Sequence, residues 1–352
     1  MSSSSYLKRN WKLILNVITI AAMVVLAIAV RKQLVQTIEN LGKINGWALL
    51  LIVPIEFLNY HAQTRLYQRL FAMVDEELPY KKLFKVSLEL NFVNHIFPSG
   101  GVTGISYFGL RLRNEGVKSA KSTVVQFMKL AMLFSSFEFL LLFGMLLLAA
   151  VGKVNNLIIL IGGSLTTLLV VGTAGFVYII GDRKRIQSFF SITTRILNRI
   201  IQIVRPKQPE TISIERLRPF FDDMHDNYVT FQSKPAQLKA PFWYAMLANA
   251  TEILAVYVVY LAFGHWINLG AVILAYAVAN FAGLVSVLPG GIGVYEALMT
   301  AVLVAGGVPA AVSIPATIMY RVVNTLLQVP FGYYFYHRSL AGTGRLQHEH
   351  VD

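Results

Sequence analysis

Long apolar runs separated by short polar turns dominate the hydrophobicity pattern of this chain. A helix needs roughly 20 apolar residues to cross a bilayer, and a run that approaches or exceeds this length predicts a full transmembrane span. About six such spans are predicted, at residues 13–30, 47–74, 123–151, 157–180, 241–263 and 308–336. The pattern predicts an all-α polytopic membrane protein that forms a single membrane domain over residues 1–352.

Two further apolar segments do not fit simple spans. Residues 83–97 are short and polar and end at Pro98-Ser-Gly-Gly101, whereas residues 269–288 end at Pro289-Gly-Gly291-Ile-Gly293. Proline and paired glycines break helices, and irregular backbone is tolerated at membrane depth only against protein or water. Each segment is therefore predicted to be one arm of a re-entrant hairpin, although the second run is long enough to cross fully.

The two hairpins are predicted to belong to an internal repeat. Eighteen positions after Pro98 the sequence is Gly116-Val117, and eighteen positions after Pro289 it is Gly307-Val308. With the N-terminus and the central loop on one side, the number of crossings between them is even, and the hairpins then enter from opposite faces. This arrangement is an inverted-topology repeat, which is typical of transporters whose broken helices meet at a central site.

Basic residues are concentrated between the two halves. Eleven of the 31 Lys and Arg lie in residues 183–239, and the formal net charge is +13. Such a bias marks the cytoplasmic side and attraction to anionic lipid, so both termini are predicted to be cytoplasmic and no nucleic-acid partner is predicted. The predicted segments are the first half, 1–181, with its hairpin at 83–113; the cytoplasmic amphipathic loop, 182–240; the second half, 241–338, with its hairpin at 269–306; and a disordered tail, 339–352.

The central loop begins with apolar positions at helical spacing in residues 186–201. This pattern predicts an amphipathic helix, either on the inner membrane surface or packed on the protein's own cytoplasmic face. At the other end of the first half, Lys8, Arg9 and Lys12 precede the first apolar run, and no small-residue cleavage pattern follows it. That run is therefore predicted to be a retained span rather than a signal peptide.

Composition agrees with a membrane protein and excludes several chemistries. Hydrophobic residues make up 55% of the chain and charged residues 14%, whereas a soluble domain carries about 25% charged residues. The chain has no cysteine, so disulfides and thiolate sites are excluded. Neither a GxxxxGK[ST] loop nor an HExxH motif occurs, and no cofactor, metal site or ATP hydrolysis is predicted.

The glycine-rich loops are the first candidate binding feature. A helix that starts after such a loop presents unpaired amide groups and a positive dipole end, so two loops meeting at mid-depth could hold a lipid phosphate. The alternative is that the glycines only permit tight packing at a helix break. The candidate headgroup ligands in the loops are Ser99, Gly100, Gly101, Gly290 and Gly291.

Polar residues inside the apolar runs are the second candidate feature. A charged side chain at the bilayer centre costs about 3 kcal/mol on insertion scales, so it usually has a partner or a water-filled cavity. Two interpretations stay open: a substrate or ion pathway, or structural ion pairs such as Glu296 with Arg321. Besides these two candidate headgroup ligands, the residues predicted to form a polar interior are Asn91, Asn94, Gln126, Lys129, Asn249, Glu252 and Asn324.

The glycine motifs carry a family resemblance. The run Phe97-Pro-Ser-Gly-Gly-Val-Thr-Gly104, and more strongly Leu288-Pro-Gly-Gly-Ile-Gly-Val-Tyr-Glu296 with Gly306-Gly-Val308 and Arg321, resembles the lysylphosphatidylglycerol synthase transmembrane-region family. The resemblance implies a lipid-translocating domain in the cytoplasmic membrane of a bacterium or archaeon. Glu296 and Arg321 match the family's acidic residue and arginine.

The first half departs from the family pattern. Gln126 and Lys129 stand where members often carry an arginine with a downstream acidic residue. The full synthase also has a soluble lysine-transferring domain after the membrane part, whereas this chain ends shortly after the last predicted span. No enzyme activity is therefore predicted for this chain.

The function expected from these features is flippase-like or scramblase-like translocation of a lipid without ATP. The expected partners are membrane lipids: an anionic or aminoacylated phospholipid, or a polyprenyl-phosphate lipid. Two alternatives remain: a lipid-binding subunit that partners a separate synthase through residues 182–240, and a membrane-embedded lipid transferase. The lipid, its direction of movement and the oligomeric state stay open at this stage.

Overall fold

The computed structural model describes residues 44–97, 102–204, 214–285 and 293–346, with isolated positions between 24 and 42. Only isolated positions of the predicted first span, 13–30, are described. Every regular element within the described residues is helical, which agrees with the all-α prediction.

The helices divide into a first half, a central pair and a second half. The first half contains α1 (Gly46–Leu49), α2 (Ile52–Met73), α3 (Tyr80–Ile96), α4 (Val102–Arg113), α5 (Ser119–Ala150) and α6 (Asn156–Ile180). The central pair is α7 (Arg183–Val204) and α8 (Ile214–Ser233), followed by a 3₁₀ turn (Pro235–Leu238). The second half contains α9 (Lys239–Ala262), α10 (Leu269–Val285), α11 (Val294–Ala305) and α12 (Ala310–Leu346).

Among the described helices, four are long and apolar enough to cross a membrane by length and composition. They are α5, α6, α9 with its preceding turn, and α12 up to Ser339. Helix α2 occupies the predicted span at 47–74, but it carries Glu56, His61, Arg65 and Arg69 and is less apolar than these four. Together these helices define an integral membrane protein.

Two helix pairs occupy the segments predicted to be hairpins. Helix α3 packs against α4, and α10 packs against α11, so each pair folds back on itself. The breaks between the arms, residues 98–101 and 286–292, lie outside the described residues. The last helix extends to Leu346, so residues 339–346 of the predicted disordered tail, 339–352, are helical.

The helix order repeats between the halves. Helices α5 and α12 start at Ser119 and Ala310, which are 191 residues apart, the same separation as between Pro98 and Pro289. The contacts also correspond: α3 packs on α12 and α10 on α5, while α2 packs on α5 and α9 on α12. Helices α2 and α9 pack on each other at the centre. The second broken pair is thus held largely by the long helix of the first half, and the first pair by that of the second half.

Loops of both halves meet at one end of the bundle, here called the Lys153 end after Lys153 of the α5–α6 connection. The Asn155 amide donates to the carbonyl of Ala305 at 3.2 Å, and the Asn268 amide donates to that of Leu147 at 3.4 Å. Because these residues lie in or next to the α5–α6, α9–α10 and α11–α12 connections, the three connections share this end.

Ion pairs join loops at the opposite end, here called the Glu115 end. Lys82 Nζ lies 2.6 Å from Glu115 Oε2, and Lys121 Nζ lies 2.8 Å from Glu76 Oε1. Arg111 Nη1 also donates a hydrogen bond to Glu115 Oε1 at 2.7 Å. Burial acts to raise the pKa of the Glu115 carboxyl, but the hydrogen bonds from Lys82 and Arg111 hold that pKa below its usual value. These pairs tie the α2–α3 and α4–α5 connections together.

The central pair α7–α8 packs against the Glu115 end of the bundle. Helix α7 covers the predicted amphipathic segment, and α8 packs against α5, α6 and α7. His225 Nδ1 lies 2.9 Å from the carbonyl oxygen of Ile180, which fixes α8 against the end of α6. The aromatic residues Phe221, Tyr228 and Phe231 of α8 are buried in the core of the first half.

Candidate functional site

A polar cavity of about 170 Å³ lies where α3, α9, α10, α11 and α12 meet. Its position joins the first broken pair, through α3, to the second. The described lining residues are polar or aromatic: Asn91, His95, Glu252, Tyr276, Asn280, Tyr295, Tyr320, Arg321, Asn324, Thr325 and Gln328.

Helix α12 supplies most of the cavity wall. Arg321, Asn324, Thr325 and Gln328 follow one another at i, i+3, i+4 and i+7, so one face of a single helix carries all four. Exposed Leu326 and Phe331 lie on the same helix, where they suit contact with lipid. The sequence of α12 thus sorts one polar stripe inward and apolar residues outward.

A continuous chain of hydrogen bonds crosses the wall of the cavity. The Tyr320 hydroxyl donates to Glu252 Oε2 at 3.1 Å and accepts from the Asn324 amide at 3.3 Å. The Gln328 amide donates to Asn324 Oδ1 at 2.6 Å and to Glu56 Oε2 at 3.0 Å. Two carboxylates on the adjacent helices α2 and α9 are thereby linked through three side chains of α12.

Arg321 and Glu296 form an ion pair at the start of α11. Arg321 Nε lies 3.4 Å from Glu296 Oε1, and the guanidinium carbon lies 4.5 Å from the centre of the Tyr295 ring. Glu296 Oε2 also accepts the Gly293 amide at 2.6 Å, which caps the first turn of α11. Gly293 has a φ of +86°, a conformation that glycine adopts at little cost. The ion pair fixes the helix that follows the second glycine motif against α12.

The cavity therefore presents opposite charges to one small space. Arg321, which lines the cavity beside its ion pair with Glu296, suits a phosphate or carboxylate, because a planar guanidinium favours anions. Glu252 together with Tyr276 and Tyr320 suits an ammonium group, since a carboxylate and aromatic faces both attract cations. The arrangement suits a ligand that carries both charges.

A second polar cluster lies between α2 and α5 in the first half. Lys129 Nζ donates to Gln63 Oε1 at 3.0 Å and to the Tyr67 hydroxyl at 3.1 Å, and it lies 4.4 Å from the centre of the Tyr67 ring. The Tyr67 hydroxyl donates to Gln126 Oε1 at 2.5 Å. Lys129 is 7% exposed, so these neutral groups replace its hydration. Gln126 and Lys129 thus belong to this cluster rather than to the cavity.

The other residues predicted from sequence have separate positions. Asn91 lies in the cavity wall and donates to Gln328 Oε1 at 2.9 Å. Asn249 donates to the carbonyl of Leu133 and ties α9 to α5, whereas Asn94 is exposed and lies against Gly104 of α4. The loop candidates Ser99, Gly100, Gly101, Gly290 and Gly291 lie outside the described residues.

Three tyrosines of this cavity were not among the residues predicted from the sequence. Tyr276, Tyr295 and Tyr320 occur within or beside apolar helices, where a tyrosine is an ordinary core residue. Glu56 accepts a hydrogen bond from the cavity residue Gln328. Its position as an acidic residue in an apolar run was the signal in the sequence that could have identified it. Its partner Gln328 lies 272 positions away in sequence, so only the folded chain joins them.

The fold and cavity define an all-helical membrane protein with a charged, partly aromatic interior site. Residues 13–332 match the lysylphosphatidylglycerol synthase TM region family, and the chain belongs to this family. The match covers both broken helix pairs, the central pair α7–α8 and most of α12.

Two curated relatives are archaeal membrane proteins. The chain is 30% identical over 197 residues to a UPF0104 membrane protein of Methanothermobacter thermautotrophicus, covering 54% of this chain and 56% of the relative. It is 23% identical over 168 residues to the UPF0104 membrane protein PH1989 of Pyrococcus horikoshii, covering 48% of this chain and 50% of the relative. The chain spans about half the length of these relatives.

Proposed function

We propose that this protein moves an amine-bearing phospholipid between the leaflets of the cytoplasmic membrane. The main support for this proposal is the cavity, because Glu252, near Tyr276 and Tyr320, lines the same space as Arg321. The ammonium group lies by Glu252 and the phosphate lies by Arg321, while the acyl chains stay in the bilayer. The family name, which refers to an aminoacylated phospholipid, agrees with a headgroup of this class.

The crossed packing of the two halves supports a transport role. The two connections that flank the first broken pair lie at the Glu115 end, and those that flank the second lie at the Lys153 end. We infer that the two pairs are re-entrant hairpins from opposite faces, in an inverted repeat. Inverted repeats with broken helices that meet at a central site are a common basis of alternating access.

The orientation follows from charge. The Glu115 end carries Lys82, Arg111, Lys121 and the basic residues of the central pair, so this end is assigned to the cytoplasm by the positive-inside rule. The Lys153 end then faces outward. A headgroup in the cavity between the two hairpins is placed to leave towards either face.

The experiment is leaflet exchange in liposomes that contain the purified protein. Three fluorescent lipids are compared: an amine-bearing phospholipid, phosphatidylglycerol and a polyprenyl phosphate. Fast exchange of the amine-bearing lipid, lost in Glu252→Gln, supports the proposal. The matched control is Glu138→Gln, which removes a carboxylate of α5 that is not among the cavity lining residues and should leave exchange unchanged.

The alternatives give different results in the same assay. A binding subunit for a separate synthase would leave all three lipids at the rate of protein-free vesicles. Exchange of only phosphatidylglycerol or only the polyprenyl phosphate would retain transport but refute the amine-bearing headgroup. A lipid transferase would yield a chemically altered lipid, which chromatography of the extracted lipids detects.

A further inference from the structure

Glu56 is a buried carboxyl group with incomplete hydrogen bonding. It is 5% exposed; its Oε2 accepts the Gln328 amide, and its Oε1 has no hydrogen-bond partner among the described residues. A buried carboxylate normally accepts several hydrogen bonds or faces a cation, because it has lost its hydration. A single hydrogen bond from the Gln328 amide replaces that hydration poorly.

The groups around Glu56 do not supply the missing positive charge. Helix α9 contributes a second carboxyl group, Glu252, and α10 and α12 contribute Tyr276 and Tyr320. On its own helix the nearby titratable group is Tyr60, and α1 carries no titratable residue.

The cations on neighbouring elements have other partners. Lys129, which α5 brings to α2, is bonded to Gln63 and Tyr67, and Arg321 of α12 is paired with Glu296. Helix α3 contributes the Asn91 amide, which donates to the Tyr60 hydroxyl and Gln328, and His95, whose Nδ1 lies 2.9 Å from the carbonyl oxygen of Asn91. Within the described residues, no salt bridge reaches Glu56 or Glu252.

We propose that Glu56 and Glu252 are a proton-binding pair, in which Glu56 carries the proton while the cavity holds no ammonium group. Glu252 is the ionised member, because the hydroxyl groups of Tyr320 and Tyr276 both hydrogen-bond to it, whereas Glu56 accepts the Gln328 amide and has a second oxygen without a donor among the described residues. An ammonium group bound at Glu252 offsets the repulsion between the carboxylates, and the proton then leaves Glu56 as H⁺. Hydrogen bonds through Tyr320, Asn324 and Gln328 connect the two carboxyl groups.

The consequence is exchange of a proton against an amine. One H⁺ leaves the pair for each ammonium group that enters, so a transmembrane pH difference drives the headgroup in the opposite direction. This coupling rests on the proposed function, whereas the protonated state of Glu56 does not. The two parts therefore need two readouts.

The first readout is infrared spectroscopy of the purified protein at neutral pH. A protonated carboxyl group gives a C=O stretching band that a carboxylate lacks. The band is expected in the wild-type protein, lost in Glu56→Gln and retained in the control Glu296→Gln, since Glu296 is paired with Arg321. If Glu56→Gln does not fold, Glu56→Asp replaces it, and the band must then move to a different frequency.

The second readout is leaflet exchange of the amine-bearing lipid under an imposed pH difference. The wild-type rate should change at least severalfold when the gradient is reversed, and Glu56→Gln should show equal rates in both directions. A wild-type protein without the infrared band, or an identical band in Glu56→Gln, overturns the proton-binding pair. A Glu56 band with gradient-independent exchange overturns the coupling and leaves transport standing. A Glu56 band without any lipid exchange refutes the proposed function while the proton site stands.

Discussion

Arg321 of α12 contacts two consecutive residues of α11: its Nε lies 3.4 Å from Glu296 Oε1, and its guanidinium carbon lies 4.5 Å from the centre of the Tyr295 ring. A planar guanidinium satisfies both contacts at once, whereas an ammonium group is a compact point charge. Arg321 is 18% exposed and also lines the cavity, so one side chain both contacts α11 and faces the cavity.

Arg321→Ala is expected to slow leaflet exchange about tenfold. A hydrogen bond to a charged group contributes about 1.5–3 kcal/mol, and about 1.4 kcal/mol corresponds to a factor of ten. Arg321→Lys should restore part of the rate, because it keeps the charge and loses the planar contact with Tyr295. The assay is lipid exchange in proteoliposomes with matched protein content. An unchanged rate in a folded Arg321→Ala variant would exclude Arg321 from the headgroup site.

Gly332 of α12 permits the close crossing that brings α3 to the cavity. A Cβ at this position would lie 2.4 Å from Phe92 Cβ and 2.8 Å from the Leu88 carbonyl oxygen, and neither atom is the end of a flexible side chain. Gly332→Ala should therefore destabilise the protein by about 1–3 kcal/mol, as overpacking does.

The control for this crossing is Gly163→Ala in α6, where nothing lies within 4 Å of the added Cβ. Thermal unfolding in detergent compares the two variants, and only Gly332→Ala should unfold at lower temperature. Equal unfolding temperatures for both variants and the wild type would contradict the close approach of α3 and α12.

The topology predicts that the two ends of α9 face opposite sides of the membrane. The chain has no native cysteine, so a single introduced cysteine reports one position. Trp266→Cys lies in the α9–α10 connection, where Trp266 is 85% exposed, and Ser233→Cys lies at the end of α8. A membrane-impermeant maleimide should label Trp266→Cys in intact cells and Ser233→Cys only after permeabilisation. Labelling of both from the same side would refute the crossing by α9.

The ion pairs of Glu115 are expected to form an acid-sensitive link at the Glu115 end of the bundle. The hydrogen bonds from Lys82 and Arg111 lower the pKa of Glu115 in the folded protein relative to the unfolded chain. Its contribution to stability is therefore complete above the unfolded pKa and is lost as pH falls through the folded pKa. The contribution is small because Glu115 is partly exposed to solvent.

The measurement is the unfolding temperature of wild type and Glu115→Gln as a function of pH. The wild type should be the more stable protein at neutral pH, and the difference should disappear as the pH falls through the lowered pKa of Glu115 in the folded protein. A difference that persists unchanged in strong acid would show that the effect of the substitution is not electrostatic.

The helices could largely be predicted from sequence. An apolar run such as residues 157–180 must satisfy its backbone hydrogen bonds internally in a bilayer, which favours a helix. Helix α6 has almost the same bounds as this run. The glycine motifs likewise predict the breaks on either side of α11, because glycine and proline disrupt helices wherever they occur. These features are local, so one stretch of sequence contains the information.

The site was only partly predictable, because its contacts are long-range. Arg321 and Glu252 were visible as charges in apolar runs, but their neighbours depend on how α12 crosses α3 and α9. Periodicity assigned Lys129 to a polar face without indicating which helix it would meet. The structure directs it to Gln63 and Tyr67 of α2, away from the cavity. Helical periodicity predicts which side of a helix a residue lies on, but the residue it contacts depends on tertiary packing.

Recognition of the amine is tested by comparing an amine-bearing phospholipid with its N-acetylated analogue in the leaflet-exchange assay. The two lipids share the phosphate and differ in the positive charge of the amine, which is proposed to lie by Glu252. The wild-type protein should exchange the amine-bearing lipid about tenfold faster, as expected for loss of one charge-assisted interaction. Glu252→Gln should remove the difference by slowing the amine-bearing lipid to the rate of its analogue. Equal exchange of the two lipids by the wild-type protein would refute recognition of the amine at Glu252.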